Sequence, residues 1–125
     1  MSNRLSWPKK FAVAISGIFW SARTQNSFWA HLPITVAVIA LAAWLQVETW
    51  RWVAILCAIT IVCSVELLNT SIEQLVKVLH PEHDEGIGRA LDAAAGAVLV
   101  AAIGSVIIGL VVLGPPLLGV LGWPE

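Results

Sequence analysis

Three long apolar runs constrain the fold of this chain more than any other feature of its sequence. They lie at about 28–46, 50–79 and 90–113, and the second continues into a more polar extension. A helix needs about 20 apolar residues to cross a hydrocarbon core of about 30 Å. With 58% hydrophobic and 12% charged residues, the composition is also far too apolar for an ordinary soluble domain. We therefore predict an all-α membrane protein with three transmembrane helices, forming a single domain over residues 1–125.

The segment at about 8–24 has the pattern of an amphipathic helix lying along the membrane surface. Apolar residues recur in it at helical spacing, and basic residues remain available to the lipid headgroups. Lys9-Lys10 before an apolar stretch also resembles the start of a signal peptide. That stretch is short, is broken by Ser16-Gly17 and is followed at once by Arg23. The surface helix is therefore the favoured interpretation.

Basic residues are distributed unevenly around the three runs. Only Arg51 lies in the link between the first and second runs. By the positive-inside rule, the N-terminus and the 77–90 link lie in the cytoplasm and the C-terminus lies outside. The other basic residues either precede the first run or lie between the second and third: Arg4, Lys9, Lys10 and Arg23, then Lys77 and Arg89.

The third run carries small residues four positions apart. In a lipid environment, small side chains let helix backbones approach closely, so this stripe favours a bundle of several subunits. Gly114-Pro115-Pro116 follows the run and is expected to end its helix. The stripe consists of Ala93, Ala97, Ala101, Ser105 and Gly109.

Polar residues interrupt the second run near its end. Glu66, Asn69 and Glu73 are spaced three and then four residues apart, which places all three on one face of a helix. An ionisable residue inside a membrane span is costly and usually functional. We interpret Glu66 as a general base in a partly dry site. The alternative, a carboxylate that reaches out to the interface, is less favoured because Glu is short and its neighbours are apolar.

Other polar positions have simpler explanations. Glu73 alone would be an ordinary residue of an exposed helix, and only the face it shares points to a divalent cation. Asp92 is either a helix N-terminal acid or a polar contact facing the second helix, and both interpretations stay open. The loop 82–85 is more simply a solvated loop than a metal site. His31 and His80, each isolated, carry no functional prediction.

Two segments together resemble the prokaryotic diacylglycerol kinase family, which includes undecaprenol kinases. The first is Glu66-Leu-Leu-Asn69-Thr-Ser-Ile-Glu73, which follows the family pattern E-x-x-N-[ST]-[AS]-I-E. The second follows a polar loop and runs from Arg89 to Val98. The chain length, the three spans and the surface helix also match, so the resemblance covers nearly the whole chain. No P-loop pattern is present.

The resemblance implies a homotrimeric lipid kinase of the bacterial inner membrane, with active sites at subunit interfaces and no nucleic-acid partner. It would transfer the γ-phosphate of MgATP to the hydroxyl of diacylglycerol or undecaprenol. By position, Glu66 would be the catalytic base and Glu73 would hold Mg²⁺, while Gly17 would help to shape the lipid site. The nucleotide would lie among the remaining polar positions: Asn69, Glu82, His83, Asp84, Arg89 and Asp92.

The chain departs from the family pattern at two positions. Gln25 stands where the family has a second metal-binding Glu, so it would offer the metal a carbonyl oxygen without negative charge, and we expect a lower metal affinity. Leu91 stands where the family has a Lys before Asp92, so a phosphate-binding cation is lost. Arg89 or Lys77 would have to replace it.

Two further functions are weighed against the lipid kinase. The first is a catalytically weakened family member that binds lipid or nucleotide, an alternative that Gln25 and Leu91 favour. The second is a small transporter with Glu66 as a proton site. The absence of inverted repeats argues against the transporter.

Overall fold

A computed structural model describes residues 6–122, which form four α-helices. They are α1 (Trp7–Thr24), α2 (Asn26–Leu45), α3 (Thr49–Leu79) and α4 (Glu85–Val120). No strand occurs in this part of the chain. Helices α2, α3 and α4 are long and apolar enough to cross a membrane. The predicted fold class, a surface-type helix followed by three spans, is confirmed.

The helices differ in length, which decides where polar groups lie relative to the membrane. At about 1.5 Å per residue, α2 is about 30 Å long, α3 about 46 Å and α4 about 54 Å. A short turn joins α2 to α3, so the surplus length of α3 extends past the other end of α2. Glu66 lies about 26 Å along α3 from Thr49, near the far boundary of a hydrocarbon core of about 30 Å.

Helices α3 and α4 pack against each other in antiparallel fashion. Ser105 Oγ of α4 donates to the Ala58 carbonyl of α3 at 3.4 Å. Towards the α2–α3 turn, buried residues of α2, α3 and α4 form a small apolar cluster, so this end of the bundle is the better packed one. The cluster consists of Ala42, Ile55, Val112 and Leu113.

Helix α1 is separate from this packing and is joined to α2 by a single residue. Pro8 occupies its first turn, where the missing N–H is of no consequence. Gln25, in extended conformation, ends α1 and begins α2. Ser21 is the buried residue of α1. Most apolar side chains of α1 are exposed, as expected for a helix that lies against lipid.

The expectation that Gly114-Pro115-Pro116 ends the helix of the third span is wrong, because α4 continues through both prolines to Val120. A proline leaves the carbonyl four residues before it without its helical donor. For Pro116 that carbonyl belongs to Val112, and Arg51 Nη1 donates to it at 2.6 Å. Prolines persist in membrane helices where such a group satisfies the freed backbone. A side chain from α3 therefore supplies the bond that the sequence pattern could not show.

The third span also begins earlier than the predicted residue 90. Helix α4 starts at Glu85, because Asp84 acts as its N-cap and accepts a hydrogen bond from the Ile87 backbone N–H at 3.0 Å. The loop between α3 and α4 is therefore His80–Asp84, and Gly86 belongs to the helix. The α3 boundaries, Thr49–Leu79, differ by one residue from the predicted 50–79.

The stripe of small residues on α4 divides into two parts. Ala101, Ser105 and Gly109 are half-buried, on the part of α4 that packs against α3, whereas Ala93 and Ala97 are exposed. Small side chains thus serve packing within the chain at one end of α4. At the other end they leave a smooth, exposed surface.

Candidate active site

Glu66 is the most deeply buried ionisable residue in the described part of the chain, with 2% of its surface exposed. It lies on the stripe of α3 that faces the bundle, which continues from the apolar residues Ile55, Ala58 and Val62. Neither carboxylate oxygen has a hydrogen-bond partner among the described residues. A buried polar group in this condition costs stability, so a functional reason for its presence is expected.

His31 of α2 faces this carboxylate. Its Nε2 lies 3.4 Å from Glu66 Oε1, close enough for attraction but outside good hydrogen-bond geometry. The His31 side chain is 33% exposed, whereas that of Glu66 is 1% exposed. His31 therefore separates the carboxylate from the surface of the bundle. The isolated position of His31 in the sequence gave no sign of this role, because the contact depends on how α2 packs against α3.

Asn69 and Glu73 continue the polar face of α3, as the spacing predicts. Asn69 Nδ2 donates to Glu73 Oε1, one turn further along the helix. Both residues are half-buried, and the Asn69 carbonyl oxygen is buried without a hydrogen-bond partner. Glu66 and Asn69 thus present unsatisfied acceptor oxygens along one side of the helix, and the Glu73 carboxylate continues this side.

A groove of about 830 Å³ lies beside this face, between α1 and α3. Its walls are mainly apolar, with Gly17 and Ile18 on α1 and Leu75 and Val78 on α3. Thr70, one turn after Glu66, also lines it. Glu66 itself does not line the groove, but its neighbour Leu67 does, so the groove is an apolar slot beside the part of α3 that carries the buried carboxylate. Such a slot suits a chain-like apolar molecule.

The other predicted site residues lie apart from this cluster in the single chain. Glu82 and His83 are exposed loop residues, and Asp84 is exposed and caps α4. Arg89 forms an exposed ion pair with Glu85 at 2.9 Å.

Asp92 is exposed and forms no hydrogen bond or ion pair with another described residue. The α3–α4 register set by Ser105 and Ala58 places Asp92 level with Ser71, about 8 Å along α3 from Glu66. Asp92 is therefore near the level of the cluster but has no polar contact with it.

Glu73 and Gln25 are the two residues expected to hold a magnesium ion. Mg²⁺ is held in proteins by one or two carboxylates together with substrate phosphates and water. Glu73 supplies one carboxylate of this kind, and Gln25 is half-exposed at the α1–α2 joint, where its amide donates to Thr24 Oγ1 at 3.3 Å. No group of three His, Cys, Asp or Glu side chains that would bind a metal by itself occurs in residues 6–122. The chemistry fits a cation that a phosphorylated substrate helps to hold.

The arrangement suits acid–base chemistry on a molecule that enters from the membrane. A carboxylate without hydrogen-bond partners, in a site from which water is excluded, is able to accept a proton from an alcohol. The polar face beside it leads out of the hydrocarbon region towards the loop side of the bundle. Apolar and water-soluble substrates are thus able to meet at the level of Glu66.

Comparison with known proteins gives consistent similarities. A sequence profile described as prokaryotic diacylglycerol kinase matches residues 12–113. The chain is 38% identical to the undecaprenol kinase of Bacillus subtilis strain 168 over 109 residues, covering 87% of this chain and 89% of that protein. It is 37% identical to the diacylglycerol kinase of Synechocystis sp. over 112 residues, covering 89% of this chain and 64% of the relative.

A diacylglycerol kinase of Escherichia coli K12 shows 37% identity over 76 residues, which cover 61% of this chain and 62% of that protein. The chain thus spans less than two thirds of the length of both diacylglycerol kinases, and most of the length of the undecaprenol kinase.

Proposed function

This chain belongs to the prokaryotic diacylglycerol kinase family and is a lipid kinase, and we propose that it transfers the γ-phosphate of MgATP to a diacylglycerol or undecaprenol hydroxyl. The observation that carries the proposal is the buried carboxylate of Glu66, without hydrogen-bond partners, at the edge of the hydrocarbon region. The catalytically weakened alternative is not favoured, since the relatives are named as kinases.

In this proposal Glu66 is the catalytic base. The lipid lies with its chain in the groove between α1 and α3, and Gly17 keeps the α1 wall free of side chain. Its hydroxyl reaches Glu66, which accepts the proton as the oxygen attacks the γ-phosphorus and the bond to ADP breaks. Phosphoryl transfer depends mainly on positioning and charge neutralisation, so no covalent enzyme intermediate is needed.

The donor side of the proposed site consists of Glu73, Gln25 and the polar residues beyond them. Glu73 and Gln25 would hold Mg²⁺, which would neutralise charge on the phosphates of ATP. Asn69 orients the base or the phosphates. The nucleotide would lie among the polar residues of the loop and of the start of α4: Glu82, His83, Asp84, Arg89 and Asp92.

We infer that the active unit is a homotrimer with its sites at subunit interfaces. Within one chain the loop residues and Asp92 lie apart from Glu66, and the exposed stripe of Ala93 and Ala97 leaves room for another helix. A neighbouring chain would then bring its polar residues to the Glu66 face. Native mass spectrometry in detergent should report three chains, and a single chain that retains activity would contradict the interface site.

The proposed location is the bacterial inner membrane, with the N-terminus and the loop His80–Asp84 in the cytoplasm. The basic residues of this side of the bundle support that orientation. A single cysteine placed at His83 in a Cys57→Ala/Cys63→Ala background should react with an impermeant maleimide only after the cells are opened. Labelling in intact cells would show that the loop lies outside and that the proposed orientation is wrong.

The transfer reaction is tested with radiolabelled ATP and purified protein in detergent micelles that contain either diacylglycerol or undecaprenol. Label should enter at least one lipid in the presence of Mg²⁺, and Glu66→Gln should abolish the transfer. Glu85→Gln, an exposed acidic position on the same side of the bundle, is the matched control and should retain activity. Failure of the wild type on both lipids, across divalent ions, would reject the enzyme function.

The metal assignment is tested separately with Gln25→Glu. A second carboxylate should lower the Mg²⁺ concentration needed for half-maximal activity, because it adds negative charge to the ligand set. Gln46→Glu, at the other end of α2, is the control. If the Mg²⁺ concentration needed for half-maximal activity is unchanged in Gln25→Glu, residue 25 is not a metal ligand.

A further inference from the structure

His31 makes a polar contact with Glu66 to which the proposed mechanism gives no role. It is carried by α2, whereas the predicted catalytic residues lie on α3 and beyond. Its ring nitrogen Nε2 lies 3.4 Å from Glu66 Oε1, and no other described residue places a polar side-chain atom against that carboxylate within ion-pair or hydrogen-bond distance. Among the described residues, His31 is therefore the one placed to orient the Glu66 carboxylate.

The two oxygens of Glu66 are not equivalent in this arrangement. Oε1 faces the His31 ring, and Oε2 is buried without a hydrogen-bond partner. A short side chain with a rotatable carboxylate needs one fixed oxygen if the other is to meet a substrate repeatedly in the same geometry. A neutral imidazole that carries its proton on Nε2 is a suitable donor for this purpose, since it fixes the oxygen without introducing a permanent charge.

We propose that His31 is a positioning residue whose Nε2–H group holds Oε1 of Glu66, so that Oε2 is left to accept the proton of the lipid hydroxyl. This inference rests on the proposed kinase function of Glu66. The separation of 3.4 Å shortens to a hydrogen bond when substrate fills the site, as contacts of catalytic groups commonly do. His31 itself does not touch the reacting atoms and acts through the carboxylate.

The kinetic test compares His31→Leu with His31→Gln. Leucine removes the donor, so kcat should fall roughly 10–100-fold, the range seen when a residue that orients another functional group is lost. The KM values for lipid and for MgATP should not change, because neither substrate is bound by His31. Glutamine carries an N–H donor at a similar reach and should restore most of kcat. Thr35→Leu, one turn further on the same face of α2, is the control and should behave as the wild type.

Three outcomes of these kinetics would overturn the proposal. A His31→Leu enzyme with the kcat of the wild type would show that Glu66 needs no positioning. A change confined to KM would place His31 in substrate binding. A His31→Gln enzyme as slow as His31→Leu would show that a hydrogen-bond donor is not what the site requires.

A spectroscopic test does not depend on activity. In protein labelled with ¹⁵N-histidine, Glu66→Gln should move the ring-nitrogen resonances of His31 and leave those of His80 and His83 unchanged. An unmoved His31 resonance would contradict the contact even if the kinetic variants fail to fold. If the wild type transfers no phosphate to any lipid, the kinase function fails, and the spectra alone decide whether His31 holds Glu66.

Discussion

The two ends of the helix bundle each hold an ionisable residue near the membrane boundary, and these two residues differ in how many polar partners they have. At the end formed by the α2–α3 turn, Arg51 is bound three times. It pairs with Glu48 at 3.1 Å, donates to the Val112 carbonyl at 2.6 Å and lies over the Trp50 ring at 4.4 Å. At the other end, Glu66 is buried with no hydrogen-bond partner and with one histidine at 3.4 Å.

We propose that the end with Arg51 stabilises the fold and that the end with Glu66 carries out the chemistry. A charged side chain with several polar partners stabilises the structure around it, and here Arg51 also donates to the carbonyl that Pro116 leaves without a helical donor. A charge left without partners weakens the structure, and such local conflicts are expected at functional sites. In this proposal one ionic residue links helices, and the other is available to the substrate.

The sharpest test of this contrast is Glu66→Leu. Replacement of the buried carboxylate should abolish transfer, since general-base catalysis contributes roughly 10²–10⁴-fold. It should also raise the free energy of unfolding by about 1–3 kcal/mol, because an unsatisfied buried group is removed. Thermal unfolding and the radiolabel assay measure the two effects. Ser64→Leu, an exposed position of the same helix, should change neither. A destabilised Glu66→Leu protein would mean that the carboxylate has structural partners.

At the opposite end, Arg51→Met should have the reverse effect. The Val112 carbonyl and the Glu48 carboxylate both lose a donor, which should lower the free energy of unfolding by about 1–3 kcal/mol. Catalytic activity, measured below the unfolding temperature, should be retained. Arg89→Met is the control for stability, because its ion pair is exposed and such pairs contribute under about 1 kcal/mol. Equal losses in both variants would refute the special role of Arg51.

A smaller effect is expected from the contact between α3 and α4. Ser105→Ala removes the hydroxyl that donates to the Ala58 carbonyl, and bonds of this kind between membrane helices average about 0.6 kcal/mol. Thr60→Ala removes a hydroxyl that bonds only within its own helix, to Leu56, and provides the comparison. In thermal unfolding in one detergent, the Ser105→Ala variant should have a lower unfolding temperature than the Thr60→Ala variant. The opposite order would show that Ser105 does not link the two helices.

The smallest predicted effect is a dependence on pH at the turn. Hydrogen bonds from Trp50 and then Arg51 hold the pKa of the Glu48 carboxyl below its ordinary value. A lowered pKa means that the ionised form is favoured in the folded state, so this contribution is present above the unfolded pKa. It is lost as the pH falls through the folded pKa. The stability difference between wild type and Glu48→Gln should therefore shrink in acid. A difference that is constant with pH would contradict the ion pair.

The sequence was sufficient for those features that depend on one segment at a time. Apolar runs of adequate length predict the helices, and the spacing of Glu66, Asn69 and Glu73 predicts their shared face, because both follow from helix geometry alone. Boundaries were less certain. The start of α4 depended on whether Asp84 acts as a cap, which the sequence permits and does not decide.

Features that join distant segments were beyond the sequence. The bond from Arg51 to Val112 spans 61 positions, and it satisfies the carbonyl that Pro116 leaves without a helical donor. The contact of His31 with Glu66 likewise depends on how α2 is rotated against α3. The sequence of a uniformly apolar helix does not predict that rotation, because any of its faces is able to lie against lipid.

One consequence follows from how little of this chain is enclosed. Among residues 6–122, the hydrophobic residues that are buried number only six, and most large ones face outwards. Acyl tails, or other protein surfaces, must therefore take the place that an interior occupies in a water-soluble enzyme. The length and stiffness of the surrounding detergent become parameters of folding in their own right. Preparations that differ only in the amphiphile are best regarded as different thermodynamic systems.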